Sequence, residues 1–415
     1  MSEIYDEARA WLDANWDPDL SVGEWWEQLC DARWAVPMWP EDAFGRGHSR
    51  SDATLVSRAI RDAGALPAPG GLGIMLAGPT IVAHGTDEQK AEFLRPIVSG
   101  QEAWCQLFSE PEAGSDLAGL QCKAMRDGDE WVVNGQKVWT SGGQIADRGM
   151  LLARTDPDVP KHRGISWFAI DMHQTGMDVR PLTEMTGRAL FNEVFISDCR
   201  VLDAHLVGGL NNGWAVGNTT LMVERATLGA GPHAAAAAMP GTVAGQLERR
   251  AGDFVSGGAS ASEGVIAGGA GPIAMRIARQ HAPITDPVLR QKIVRLHILG
   301  EIQRMSSLRA KAARAAGVKL TGAEPNIAKL TMSEVTRLAA DVALAVQGPA
   351  GTLLRDPACD PAGAELALFA PAVSIYGGTD QVQRNIIGER ILQLPSEPRV
   401  DKDVPFRELR TSARP

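Results

Sequence analysis

The hydrophobic periodicity of the chain changes twice, and these changes constrain the fold more than any other feature. Over about residues 1–100, apolar residues recur at helical spacing, as in IYDEARAWLDAN. Between about 103 and 205, short apolar or alternating runs such as ISWFAID are separated by turn residues, which is typical of β-strands. Helical spacing returns after about residue 211. The order helix, strand, helix therefore predicts an α+β protein with separate domains.

These boundaries predict two helical regions around one β-domain. We expect an N-terminal helical domain over 1–102, a middle β-barrel or sandwich domain over 103–210, a C-terminal four-helix bundle over 211–395 and a tail over 396–415. The helices of the bundle are expected at 213–229, 286–317, 324–346 and about 380–392. A fold class of this kind does not by itself specify a reaction.

The stretch 231–272 interrupts the bundle with a low-complexity run of Gly, Ala and Ser. This composition favours a flexible surface insertion. The alternatives are a lid over a site or a contact between subunits.

Composition and charge exclude several classes of function. The chain has 415 residues, of which 44% are hydrophobic and 22% charged, so it can bury a sizeable core. A net charge of −9 argues against nucleic acid or an anionic membrane surface as the main partner.

The five cysteines form no CxxC or Cys/His pattern, which predicts no metal site and fits a reducing cytoplasm. Without a signal segment or a long apolar run, we expect a cytoplasmic protein with no membrane span.

A candidate binding turn lies in WCQLFSEPEAGSDLAG, residues 104–119, where an apolar strand ends in small and acidic residues. The hydroxyls of Ser109 and Ser115 and the N–H groups around Gly114 could bind a polar or anionic ligand edge. Turns of this composition are common, so the pattern alone does not identify the ligand.

The same stretch resembles the TEPxAGSD signature of acyl-CoA dehydrogenases, with Ser109 in place of the usual Thr. Three further blocks resemble the same family in the expected order: VNGQKVWTSGGQIADRGMLLART (133–155), NEVFISDCRVLDAHLVGGLNNGW (192–214) and IYGGTDQVQRNIIGER (375–390). Together the four blocks span nearly the whole chain. The resemblance implies a helical domain, a β-domain and a four-helix bundle, with FAD as the cofactor.

The resemblance also implies a set of flavin-site residues. Those expected to border the flavin are Gln106, Phe108, Ser109, Trp139 and Ser141. Among these, Ser109 would hydrogen-bond the pyrimidine side of the ring, and Trp139 would pack beside the ring. Ser115 occupies the position that contacts the pantetheine of the acyl-CoA and the flavin in the family.

In this family a neighbouring subunit completes the FAD site. The residues that match this half of the site are Gln347, Gly351, Thr379 and Gln381, although QGPAG departs from the QxxGG pattern of the family. The RxxFG motif, whose Arg pairs with the pyrophosphate, is missing. Arg279 is the candidate for that role, because a guanidinium fits phosphate oxygens well.

The expected position of the catalytic base differs from that in many members of the family. Dehydrogenation needs a carboxylate to remove the α-proton while the β-hydride moves to flavin N5. Many members carry this Glu at the third position of IYEGT, which here is Gly377. Enzymes resembling isovaleryl- and long-chain acyl-CoA dehydrogenases carry it on a bundle helix before an Arg, which matches Glu224 and Arg225. Gly377 keeps its backbone N–H as a donor to the thioester oxygen.

Periodicity gives separate support for Glu224. It falls on an apolar stripe that recurs at about 3.5 residues, formed by Trp214, Gly217, Leu221 and Leu228. An unpaired carboxylate at this position would lower the stability of the fold. Burial would also raise the pKa of Glu224 toward a value useful for a base. The alternative is a structural ion pair with Arg225.

We therefore expect an FAD-dependent dehydrogenase that converts an acyl-CoA to a trans-2-enoyl-CoA, with Glu224 as the base. Electrons would leave through an electron-transfer flavoprotein or a similar acceptor, and the resemblance implies a homo-oligomer, either a dimer or a tetramer. Because Gly377 removes side-chain volume, a bulky, branched or long acyl chain is favoured over a short linear one. Three alternatives stay open: one subunit of a heteromeric dehydrogenase with an incomplete FAD site, a flavin oxidase or monooxygenase on the same fold, and a bundle protein whose insertion binds another protein.

Overall fold

The computed structural model describes residues 3–228, 238–255, 269–318, 320–353, 360–398 and 401–409. It confirms the predicted order of a helical domain, a β-domain and a second helical domain. The first domain contains five α-helices and a π-helical turn at Gly73–Ala77. The helices are α1 (Glu3–Asn15), α2 (Val22–Asp31), α3 (Arg50–Asp62), α4 (Gly78–His84) and α5 (Asp87–Val98).

Reciprocal caps fix where three of these helices begin. In α5 the Thr86 hydroxyl accepts from the N–H of Gln89, while the Gln89 side chain accepts from the N–H of Thr86. Ser21 and Ser49 start α2 and α3 in the same way. Each cap satisfies N–H groups that the first turn of a helix leaves free. The helices then bury one apolar face, in which Trp25 and Trp26 are fully enclosed.

The middle domain is one eight-stranded sheet. Its strands are β1 (Trp104–Leu107), β2 (Lys123–Asp127), β3 (Glu130–Ser141), β4 (Arg148–Arg154), β5 (Ile165–Asp171), β6 (Met177–Leu182), β7 (Phe191–Leu202) and β8 (Leu206–Val207). The strand order is β6-β7-β3-β2-β4-β5-β8, and β1 pairs with β4 in parallel. Strands β6 and β8 were not predicted, because β6 contains a proline and β8 has only two residues.

A buried ion pair joins three parts of this sheet. The Lys137 ammonium on β3 donates to Glu110 Oε1 at 2.8 Å, to the Phe108 carbonyl at 3.1 Å and to the Leu152 carbonyl at 2.8 Å. The Lys137 side chain is fully buried and Glu110 nearly so. The Glu110 carboxylate also accepts backbone N–H groups from residues 121–122. The start of the SEPEAGSD turn is thus fixed to β3 and β4 by one charged cluster.

The last domain contains more helices than the periodicity predicted. They are α6 (Gly213–Leu228), α7 (Ala270–Gln280), α8 (Pro287–Ala315), α9 (Glu324–Gln347), α10 (Pro361–Val373) and α11 (Asp380–Ile386), which continues as a π-helix at Ile387–Ile391. Helix α7 was not predicted because it starts inside the Gly-rich stretch. Helix α10 was not predicted because Pro361, Gly363 and Pro371 interrupt the helical signal.

Part of the stretch 231–272 packs firmly on the first domain. Ala238 and Ala251 are buried in the core of the N-terminal helices. The Val22 N–H donates to the Arg249 carbonyl at 2.8 Å, and the Ala251 N–H donates to the Leu20 carbonyl at 2.8 Å. The prediction of a flexible insertion is therefore wrong for residues 238–255. Residues 231–237 and 256–268 lie outside the described residues.

None of the described helices combines the length and the apolar character needed to cross a membrane.

The substitution Lys137→Met tests the buried ion pair. It removes the ammonium and leaves the Glu110 carboxylate buried beside carbonyl oxygens, so we expect a loss of about 3–5 kcal/mol in the free energy of unfolding. Urea denaturation followed by tryptophan fluorescence measures it. The control is Arg180→Met, which breaks the exposed pair with Asp178 and should leave the midpoint unchanged. Equal midpoints for the two variants would contradict a structural role for Lys137.

Candidate active site

The carboxyl group of Glu224 is held near the C-terminal end of α6 and faces β1. Burial raises the pKa of Glu224, while the facing Gln106 side chain and the charge of Arg225 lower it in part. A buried carboxyl whose pKa is raised by desolvation is the kind of group that serves as a base in a cleft. This supports the catalytic prediction, because Arg225 alone does not return the pKa to its ordinary range.

The Gln106 side chain on β1 lies beside this carboxyl. Its amide nitrogen is buried and has no well-formed hydrogen bond within the described residues. The side chain is close enough to affect the pKa of Glu224, although its geometry falls short of a standard hydrogen bond. A buried, unpaired amide beside a buried carboxyl marks a place where a ligand or a small movement would supply the missing partner.

The rotation of α6 about its axis is set by contacts with the other two domains. Trp214 and Leu221 pack on the shared core, and a Cβ at Gly217 would lie 3.2 Å from Leu152. The Thr220 hydroxyl meets that of Thr80 at 2.9 Å inside the protein. These contacts confirm the inward-facing stripe that the sequence predicted. The side chain of Leu228, its last member, lies outside the described residues.

The turn at Gly377 and Gly378 requires glycine at both positions. Their φ angles are 62° and 81°, in the left-handed region that side chains disfavour. The Gln383 amide donates to the Gly377 carbonyl at 2.8 Å. Within the described residues the Gly377 N–H has no acceptor. Thr379 caps α11 by accepting the N–H of Val382.

A buried charge cluster behind this turn holds it in place. Asp380 accepts from Lys329 Nζ at 2.9 Å, from Ser333 Oγ at 2.8 Å and from Arg337 at 3.1 Å. Burial alone raises the pKa of Asp380, but these donors lower it below its usual range. Sequence reasoning missed these donors, although their spacing of four along α9 places them on one helix face.

The end of α6 and the glycine turn meet at one groove. Arg225 and Gly377 both line it, together with residues of α8 and α9 that include Gln303, Lys329 and Met332. Glu224 immediately precedes Arg225, so the part of α6 that carries the predicted base lies at the same groove as Gly377, while the Glu224 carboxyl itself faces Gln106 of β1. Nothing in the spacing of residues 224 and 377 along the chain would have shown this.

Trp139 occupies an unusual position at the edge of the sheet. Its φ angle is 61°, at an irregularity in the pairing of β3 with β7, and its side chain is 57% exposed. The indole meets the Phe191 ring edge-on, with centroids 5.8 Å apart. A tryptophan with a strained backbone and an exposed indole lowers the stability of an isolated chain. Its exposed face is suited to stacking on a flat ligand ring.

The other predicted flavin-site residues differ in exposure. Phe108 is buried in the core, Ser109 is half-buried, and Ser115 and Ser141 are exposed. No hydrogen bond of the Ser109 side chain is found in the described part of the chain. An available hydroxyl, an exposed indole and the unpaired Gln106 amide fit the edge of a flavin ring. Among the described residues there is no cluster of His, Cys, Asp or Glu suited to a metal.

The residues assigned to a neighbouring subunit's half of the site lie on the C-terminal helices. Gln347 is buried, donates to the Ala343 carbonyl at 3.2 Å and accepts the Asp360 N–H at 2.5 Å. Gly351 is also buried. Arg279 is exposed near the end of α7, and Gln381 is exposed on α11. Their roles toward FAD stay predictions, and the Gln347 amide is already engaged within its own chain.

Comparisons with known families agree with this architecture. Three acyl-CoA dehydrogenase family models match the chain: the N-terminal domain over residues 2–101, the middle domain over 105–199 and the C-terminal domain over 272–392. Acyl-CoA dehydrogenase IpdE1 of Mycobacterium tuberculosis is 33% identical, over 95% of this chain and 90% of that protein. The mitochondrial isovaleryl-CoA dehydrogenase of Pongo abelii is 31% identical over 51% of each chain.

Solved structures give the same picture. The structure titled Tcur3481-Tcur3483 steroid ACAD is 26% identical, with a TM-score of 0.68 over 95% of this chain and 97% of that one. The ChsE4-ChsE5 complex from Mycobacterium tuberculosis is 29% identical, with a TM-score of 0.66 over 95% and 97%.

The fold and site define a three-domain flavoprotein oxidoreductase. The chain belongs to the acyl-CoA dehydrogenase family, whose enzymes use FAD in lipid degradation. The resemblance inferred from the four motifs is confirmed.

Proposed function

We propose that this enzyme converts an acyl-CoA to a trans-2-enoyl-CoA, with the Glu224 carboxylate removing the α-proton. The observation that carries the proposal is the position of Glu224, which is partly buried, faces β1 and immediately precedes Arg225, a residue that lines a groove with Gly377. The raised pKa makes the ionised carboxyl a stronger base than an exposed glutamate.

The residues around Glu224 have distinct roles in this scheme. The Gly377 N–H, which has no acceptor among the described residues, donates to the thioester oxygen and stabilises the charge that develops there. Ser109 and Trp139 border the flavin, and Ser115 contacts the pantetheine. When bound, FAD supplies the acceptor for the β-hydride at flavin N5. Reoxidation by an electron-transfer flavoprotein or a similar acceptor completes the turnover.

We further propose a bulky, branched or long acyl group as the substrate. Gly377 places no side chain over the groove, so the volume that a glutamate would fill there is left to the ligand. A solved relative whose title calls it a steroid ACAD supports the bulky end of this range. A panel of branched, long-chain and polycyclic acyl-CoA esters, assayed with an artificial electron acceptor, identifies the preferred group.

The substitution Glu224→Gln tests the base directly. We expect the purified variant to keep its yellow flavin and its ligand binding, but to lose about 10³-fold or more in the rate of flavin bleaching, because an amide cannot accept the proton. Anaerobic stopped-flow absorbance measures this rate. The matched control is Glu334→Gln, an exposed glutamate of α9 paired with Arg295, which should bleach normally. Near-normal bleaching in Glu224→Gln would refute the assignment.

An exposed apolar stripe on α8 supports association between subunits. Its members are Val294, Ile298, Ile302, Met305 and Leu308, each about half exposed and spaced three or four residues apart. A continuous apolar face of this kind is typical of an interface. We propose that the chain forms a dimer or tetramer through it.

A second candidate is one subunit of a heteromeric dehydrogenase. The missing RxxFG motif and the engaged Gln347 amide favour it, and a solved relative is a complex of two differently named chains, ChsE4 and ChsE5. In that case the purified chain would be colourless until a partner is co-expressed.

Light scattering coupled to size-exclusion chromatography tests both candidates. We expect the chain purified alone to be yellow and oligomeric, and Ile298→Glu with Ile302→Glu to dissociate it, because charges would be buried in the interface. Met125→Glu, an exposed apolar residue on β2, is the control and should not change the mass. A colourless monomer would contradict the homo-oligomer and favour the heteromer.

A further inference from the structure

The segment Asp401–Leu409 near the C-terminus folds back onto the middle domain. The Phe406 N–H donates to the Val159 carbonyl at 3.0 Å, and the Arg407 N–H donates to the Pro157 carbonyl at 3.0 Å. The Phe406 side chain is only 3% exposed. This segment, within the predicted C-terminal tail, is therefore part of the packed protein.

Phe406 covers an arginine that holds the end of the SEPEAGSD turn. The Arg154 guanidinium lies over the Phe406 ring, 3.7 Å from its centroid. The same guanidinium donates to the Ala118 carbonyl at 2.6 Å and to the Leu120 carbonyl at 3.2 Å. Burial lowers the pKa of Arg154 to about 10, and an aromatic face is one of the few apolar surfaces that favours a buried cation.

A lysine makes a second link between the same two segments. Lys161 Nζ lies 2.9 Å from Asp116 Oδ2, in the AGSD turn, and 2.7 Å from Asp401 Oδ2. Its side chain is largely shielded from solvent. One ammonium thus contacts a carboxylate of the turn and a carboxylate of the C-terminal segment. A partly shielded ion pair of this kind stabilises the fold more than an exposed ion pair does.

Ser115 lies between these two anchors and the start of the turn. The start is fixed by paired hydrogen bonds of 3.1 Å between Glu110 and Ala113. Ser115 and Gly114 are exposed, and nothing would contact a Cβ at Gly114 within 4 Å. The shape of the turn after Ala113 therefore depends on Arg154 and Lys161, and both of these contact the C-terminal segment.

We propose that the segment Asp401–Leu409 is a positioning element of the substrate site. Phe406 acts through Arg154, and Asp401 acts through Lys161, so that together they hold Ser115 in the conformation that binds the acyl-CoA. The link to acyl-CoA rests on the function proposed above. The link between the C-terminal segment and the turn does not.

Two substitutions test the contact of Asp401 with Lys161 and the contact of Phe406 with Arg154 separately. Asp401→Asn removes the charge that Lys161 contacts, and its matched control is Asp403→Asn, an exposed carboxylate two residues away. Phe406→Leu removes the ring over Arg154 while keeping an apolar side chain, and Phe406→Tyr restores the ring. Asp401→Asn leaves the buried contacts intact, so it keeps the test informative if Phe406→Leu folds poorly.

Hydrogen exchange of the holoenzyme, followed by mass spectrometry, gives the first readout. We expect peptides covering residues 110–122 to exchange about tenfold faster in Asp401→Asn and Phe406→Leu, while peptides covering 191–202 are unchanged. Asp403→Asn and Phe406→Tyr should match the wild type. Unchanged exchange over 110–122 in both test variants would overturn the proposal.

Kinetics with an acyl-CoA that the wild type oxidises give the second readout. We expect KM to rise about tenfold in the two test variants, with kcat changing less than about twofold, because binding is lost and the base is untouched. Faster exchange with an unchanged KM would overturn the role of the turn in substrate binding. A wild type that oxidises no acyl-CoA would instead refute the proposed function, and the exchange result would still decide the link to the turn.

Discussion

The buried charge of Lys137 is the interaction on which the arrangement of the middle domain depends. Its three acceptors come from two separate segments of the chain, the Phe108 carbonyl and the Glu110 carboxylate from one and the Leu152 carbonyl from the other. A hydrophobic residue could fill the space, but it could not donate hydrogen bonds to those three oxygen atoms. Because Trp139 is two residues from Lys137 and the Ser109 carbonyl accepts the Val138 N–H, this one ammonium also holds the backbone of the two residues that we propose border the flavin.

The proposed base comes to this site from another domain. Contacts of α6 with the N-terminal helices, including the paired hydroxyls of Thr80 and Thr220, turn Glu224 toward β1. The glycine turn contributes a backbone N–H and no carboxyl. In the proposed mechanism the base and the oxyanion donor are therefore carried by separate elements, and the acyl group takes the volume above Gly377.

Much of the fold and of the candidate site could be predicted from the sequence, because periodicity and local motifs reflect interactions between residues close together in the chain. The domain order and the inward face of α6 followed from spacing alone. The helices α7 and α10 were missed where glycine and proline weaken that signal. The pairing of Lys329 with Asp380, and of Arg154 with Phe406, joins residues far apart in the chain, so no local pattern shows it. The packing of residues 238–255 was mispredicted because low complexity was taken as flexibility.

The central claim is that the buried Glu224 carboxyl is the base, and the pH dependence of kcat/KM tests it most directly. The base acts when ionised, so activity should fall as the pH drops through the pKa of Glu224, which burial raises above the ordinary range of a glutamate. The facing Gln106 amide lowers this pKa, so Gln106→Ala should move the fall to higher pH. An acidic limb that stays in place or moves to lower pH in Gln106→Ala would contradict the account.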